Sequence, residues 1–158
     1  MTAPIALSFE LLAEKKSHDN LQLRLGPYCH TCDSFYLDND DTATASPDLR
    51  GNLVRLLEQW RSQVDGLRGT VGTAYLPYDF SDECTGWLRV GSADGHNAEV
   101  QAGWSMVNGW GFTPSDYLAT ASEITDFDAE AHARIECSLD DLSQRIAANA
   151  ETFKAPKQ

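Results

Sequence analysis

Two stretches near the start of the chain alternate between apolar and polar side chains. In residues 4–12, one face carries the apolar side chains of Ile5, Leu7, Phe9 and Leu11, and residues 21–25 alternate in the same way. A period of two is typical of strands with one buried face. The polar segment between them contains a turn signal at residues 19–20. The pattern therefore predicts two strands that pair as a hairpin.

A helical period appears after an acidic stretch, residues 33–46, that we interpret as a solvated loop. Apolar residues from Leu49 to Leu67 recur at spacings of three and four, which is typical of one buried helix face. Ser46 and Pro47 favour an N-cap and a first helical position, and Gly66 favours a stop. We predict a helix over residues 47–66.

Three further strand candidates cover residues 70–76, 85–90 and 98–104. The short connections between them, one a glycine-rich turn at 91–97, are typical of an antiparallel meander. Residues 128–137 are ambiguous, because their alanines and glutamates favour helix whereas their alternation has a period of two. We predict an edge strand there, since the period reflects tertiary burial.

A second helix is predicted after Ser138, which with Asp141 resembles a capping box and precedes an apolar stripe ending at Phe153. The elements follow the order β-β-α-β-β-β-(β)-α. This order predicts an α+β fold in which two helices pack on one face of an antiparallel sheet of five to six strands. The length predicts a single domain over residues 1–158, with 154–158 as a frayed tail.

Charge narrows the possible functions. The chain has 12 basic and 24 acidic residues, a net charge of −12, which argues against binding nucleic acid or an anionic membrane. It contains no apolar run of about 18 residues that would span a bilayer. Its first residues lack the basic and apolar regions of a signal peptide, so we expect a cytoplasmic protein.

The sharpest local motif is Cys29-His30-Thr31-Cys32. A Cys-x-x-Cys pair suggests redox chemistry or half of a zinc site. However, acidic residues follow it, and the chain offers no second Cys-x-x-Cys or His-x-x-x-His. We therefore expect partly buried thiols near a strand end, a surface position for His30, and neither metal nor cofactor.

Aromatic residues mixed with acids mark two predicted loops, residues 77–83 and 109–116, which flank the meander and are expected to meet at a shared end or edge. Such a mixture suits a protein interface, because rings supply contact area and carboxylates steer a basic partner. Trp60, Trp87 and Trp104 are expected in the core and Trp110 as an exposed anchor. The predicted partner-binding residues are Tyr78, Asp79, Phe80, Asp82, Glu83, Trp110, Phe112 and Asp116.

The whole layout, with segments such as residues 78–82 and 103–116, resembles bacterial immunity proteins, which neutralise toxins. This resemblance implies a binding protein, monomer or homodimer, that occludes the active site of a basic toxin domain, with no catalytic residues. Two alternatives stay open. One is a small enzyme that uses the carboxylates of Asp79, Asp82 and Glu83 or a Cys/His metal site. The other is a regulatory module that dimerises through a sheet edge.

Overall fold

Two antiparallel sheets and four helices make up the described part of the chain. The computed structural model describes residues 7–12, 21–38, 48–109 and 112–154. In chain order the elements are β1 (Leu7–Leu11), β2 (Leu21–Leu25), β3 (Tyr28–Cys32), α1 (Phe35–Asp38), α2 (Leu49–Asp65), β4 (Gly72–Phe80), β5 (Thr85–Ser92), β6 (Asn97–Ser105), α3 (Leu118–Ala121), β7 (Asp128–Ser138) and α4 (Leu139–Lys154).

The first sheet has the order β1-β2-β3. The predicted hairpin of β1 and β2 is confirmed, with Phe9 opposite Leu23. The chain then turns back through Gly26 and Pro27 and adds β3, which the sequence prediction missed. Gly26 has a φ of 58°, a left-handed conformation that glycine adopts without strain.

The second sheet has the order β4-β5-β6-β7, so the meander and the edge position of β7 are confirmed. Two irregularities in register interrupt it, one between Pro77 and Asp79 in β4 and the other between Gln101 and Gly103 in β6. Opposite the second, His132 of β7 has a φ of 63°. Such bulges redirect the side chains beside them.

The α+β class is confirmed, but the predictions of one sheet with five to six strands and of two helices are wrong, since the described residues form two sheets and four helices. The three N-terminal strands form their own ladder, and β3 contacts β4 and β7 through packing between the two sheets. The predicted loop at 33–46 also contains a short helix, α1, while residues 39–47 lie outside the described part. None of the described helices combines the length and apolar character needed to cross a membrane.

The two long helices pack on each other and carry much of the core. The N-cap of α2 is Asp48, whose carboxylate accepts a hydrogen bond from Gly51 N at 2.8 Å, and not Ser46 as predicted. Ser46 and Pro47 lie outside the described residues, and so do residues 155–158 of the predicted tail. For α4, the cap at Ser138 is confirmed. Trp60 and Trp87 are fully buried, as predicted.

Candidate functional site

The predicted loop at 77–83 is largely strand. Strand β4 continues to Phe80, and Tyr78, Asp79 and Phe80 are all buried, so they do not form part of an exposed surface. The acidic and aromatic composition of this segment suggested a loop. The strand continues because its bulge places these side chains against the first sheet and the core.

The other predicted partner-binding residues divide between surface and interior. Asp82, Glu83 and Asp116 are exposed. Phe112 is half-buried, and its ring stacks on Trp87 with centroids 5.6 Å apart. Trp110 lies outside the described residues.

Both predicted segments nevertheless lie at one end of the second sheet. Thr85, the first residue of β5, pairs with Phe80 at the end of β4 and with Ser105 at the end of β6. Beyond these strands, Gly109 N donates to Ser81 O at 2.6 Å. The backbones are so close that a Cβ on Gly109 would lie 2.6 Å from that oxygen.

An exposed surface at this end includes residues that the sequence analysis missed. Asp33, just before α1, accepts a hydrogen bond from Phe35 N at 2.7 Å. Phe35 is 44% exposed. The hydroxyl of half-buried Tyr36 donates a hydrogen bond to Asp82, and this bond raises the pKa of Tyr36. We call Asp33, Phe35, Tyr36, Asp82 and Glu83 the acidic–aromatic surface. A groove in it is lined by Asp33, Phe35, Tyr36, Ser81 and Asp82.

A second candidate site lies beneath this surface, where the two sheets meet. His30 of β3 and Asp79 of β4 form a pair, with Nε2 2.7 Å from Oδ2. The expected surface position of His30 is therefore wrong, because only 28% of its side chain is exposed. The side chain of Asp79 is 6% exposed. The other carboxylate oxygen, Oδ1, accepts from Asp33 N at 3.1 Å.

Cys32 completes this cluster. His30 and Cys32 are two residues apart on one strand and therefore share a face, whereas Cys29 points to the opposite, exposed face. One donor atom each of His30, Cys32 and Asp79 lies within 4.8 Å of the other two. Cys32 is fully buried, and burial, followed by the charge of Asp79, raises the pKa of its thiol well above the ordinary value.

Three aromatic rings surround His30. The Tyr28 ring stacks nearly parallel to it with centroids 6.1 Å apart, and the Tyr78 and Trp104 rings meet it edge-on at 6.1 and 5.2 Å. Trp104 is thus half-buried beside the site and not in the core as predicted. Its Nε1 donates to Glu130 Oε1 at 2.8 Å, which fixes the ring.

The three carboxylates of the enzyme hypothesis are placed in different environments. Asp79 is buried against His30, whereas Asp82 and Glu83 are exposed beyond the end of β4. Of the three, only Asp79 has a carboxylate within reach of His30 and Cys32. Comparison with known proteins finds no matching family model, curated protein or solved structure.

Proposed function

We propose that this protein binds a basic protein partner through its acidic–aromatic surface, and that it acts as an immunity protein by occluding the active site of a toxin in the cytoplasm. The observation that carries the proposal is the groove in which the rings of Phe35 and Tyr36 lie beside the carboxylates of Asp33 and Asp82. The ring centroids of Phe35 and Tyr36 are 5.3 Å apart, in an edge-on arrangement.

This combination suits an arginine or lysine side chain of the partner. A guanidinium group packs on an aromatic face and forms charge-assisted hydrogen bonds to carboxylates. The described residues that line the groove include acidic groups and no cationic group. Acidic–aromatic pairing therefore provides both contact area and charge complementarity for a basic protein.

The net charge of −12 supports the same partner class. Charge of opposite sign on a partner raises association rates by about tenfold to a thousandfold at low salt. A toxin domain that cleaves nucleic acid or a nucleotide needs a basic cleft, and an acidic protein that covers this cleft excludes the substrate. This reasoning links the surface to inhibition by occlusion.

The test compares two double variants. Phe35→Ala with Asp82→Asn removes one ring and one carboxylate from the surface. The matched control, Val71→Ala with Glu123→Gln, removes an exposed apolar side chain and an exposed carboxylate elsewhere. Each immobilised protein is incubated with extract of the native cells, and quantitative mass spectrometry identifies the bound proteins.

We expect wild type and control to retain the same basic protein, and the surface variant to lose it. Central interface residues contribute about 2 kcal/mol or more, so Kd is expected to rise at least ~30-fold. The purified partner should lose its enzymatic activity when bound. Equal retention by all three proteins contradicts the proposed surface, and a partner that stays active in the complex contradicts occlusion.

A further inference from the structure

The cluster of His30, Cys32 and Asp79 has no part in the protein-binding proposal, yet its composition is that of a metal site. Its members come from two sheets and are 49 residues apart at the widest. The alternation of β3 directs imidazole and thiol to one side. The irregular register between Pro77 and Asp79 lies where the carboxylate meets them.

The donor set favours a zinc-class ion. Zinc is bound in proteins by imidazole nitrogen, thiolate sulfur and carboxylate oxygen. At bond lengths of about 2.0–2.3 Å, a tetrahedral ion holds its donors roughly 3.3–3.6 Å apart. The donor atoms of the cluster lie within 4.8 Å of one another, and His30 Nε2 and Asp79 Oδ2 at 2.7 Å need to separate by only about 0.6 Å.

Neighbouring groups orient these donor atoms, as hydrogen-bonding partners of metal ligands do in known metal sites. The backbone N–H of Asp33 donates to Oδ1 of Asp79, while Oδ2 faces His30. Hydrogen bonds of this kind orient ligating carboxylates. The rings of Tyr28, Tyr78 and Trp104 restrict the imidazole and exclude water from most of its surface. The partial exposure of His30 leaves a route from solvent.

We propose that His30 Nε2, Cys32 Sγ and Asp79 Oδ2 bind one Zn²⁺ or a similar divalent ion, with a solvent molecule as fourth ligand. Among the described residues, no other His, Cys, Asp or Glu joins this cluster. On binding, the ion replaces the hydrogen bond between His30 and Asp79. The proton of that bond leaves to solvent, the neutral imidazole carries its one N–H on Nδ1, and the Cys32 thiol proton also leaves to solvent. Three protein ligands with one open position are typical of zinc sites that bind or activate a small molecule.

Cobalt titration tests the proposal, because tetrahedral Co²⁺ bound to a thiolate has a charge-transfer band in the near ultraviolet and intense visible bands. The full-length protein is treated with chelator, titrated with Co²⁺ under reducing conditions, and then with Zn²⁺. Cys32→Ser removes the proposed sulfur ligand. Cys29→Ser is the matched control, since it changes the same residue type in the same motif on the opposite face.

Wild type and Cys29→Ser are expected to bind one equivalent of Co²⁺ with both sets of bands, and Zn²⁺ to displace it. Cys32→Ser should lose the charge-transfer band and bind at least tenfold more weakly. Asp33→Pro removes the backbone donor to Asp79, and we expect it to weaken binding about 10- to 100-fold while the thiolate band persists at saturation.

Absence of the bands in folded wild type overturns the proposal, and the pair is then a hydrogen bond between the sheets. An equal loss in Cys29→Ser also overturns it, because both cysteines would then be ligands. Circular dichroism of each variant verifies folding. If Cys32→Ser does not fold, the spectra of wild type and Cys29→Ser with Co²⁺ still decide whether the proposed metal site exists. The proposal stands or falls independently of the proposed partner, which the surface variants test.

Discussion

Gly86 of β5 lies directly against the ring of Tyr78, and its substitution tests the packing of the site. A Cβ at Gly86 would lie 2.7 Å from both Cε1 and Cζ of that ring. Carbon atoms in favourable contact are about 3.5–4.0 Å apart, so the ring must move by roughly 1 Å. The ring is fully buried between His30 and Trp104 and has little room to move.

We therefore expect Gly86→Ala to lower the free energy of unfolding by about 1–2 kcal/mol. Overpacking a well-packed core costs about 1–3 kcal/mol. Against this, the change from glycine to alanine restricts the unfolded chain and recovers about 0.4–1 kcal/mol. Gly91→Ala is the control in the same strand, because no atom lies within 4 Å of its added Cβ. It should be neutral or stabilising by up to ~1 kcal/mol.

Urea unfolding at 25 °C, followed by tryptophan fluorescence and far-ultraviolet circular dichroism, measures both variants. The near-ultraviolet circular dichroism of Gly86→Ala should also change, since the displaced Tyr78 ring contacts Trp104. If Gly86→Ala is as stable as Gly91→Ala, the Tyr78 ring does not lie over Gly86. The bulge geometry of β4 and the aromatic enclosure of His30 would then be wrong.

Two further predictions concern titration and reactivity. Asp94 accepts hydrogen bonds from His96 N and Asn97 N, which lower the pKa of its carboxyl from 3.8 to about 2. Because the pKa of Asp94 is lower in the folded than in the unfolded protein, the ionised carboxylate stabilises the fold above about pH 4, and this stabilisation is lost as the pH falls towards 2. The unfolding curves of wild type and Asp94→Ala should therefore differ at pH 5 and converge at pH 2. In metal-free protein, iodoacetamide at neutral pH should modify exposed Cys29 well before buried Cys32, whose pKa is raised. Peptide mass spectrometry measures this order, and equal rates would contradict the burial of Cys32.

Periodicity predicted the elements whose side chains divide cleanly between core and solvent. The stripe from Leu49 to Val64 and the alternation of Ala98, Val100 and Ala102 reflect burial along one element, and both elements are present. The same reasoning predicted β7 as a strand despite its helix-favouring residues. In α2 and β6 the local pattern and the tertiary environment agree, whereas in β7 only Ala133 of the alternating apolar residues is buried.

The site depended on contacts that a linear pattern does not contain. His30 and Asp79 meet because β3 packs beside β4, and the polar sequence of β3 carries no strong strand signal. Within the apparent loop at 77–83, residues 77–80 are strand and are buried, because His30 and the backbone of Asp33 satisfy the carboxylate of Asp79. One signal was present, since a turn at Gly26-Pro27 predicts a returning strand. That strand places His30 and Cys32 on one face.

Among the described strands, β7 forms one edge of the second sheet, and this position has a consequence for self-association. This strand is eleven residues long and ends the sheet, yet it carries exposed acids at Glu130 and Glu136 and a left-handed residue at His132. Antiparallel pairing of two copies about Ala133 would oppose Glu130 of one with Glu136 of the other. Like charges facing each other across strands repel, and the kink interrupts the ladder. The outer border of the sheet thus discourages addition of an identical strand.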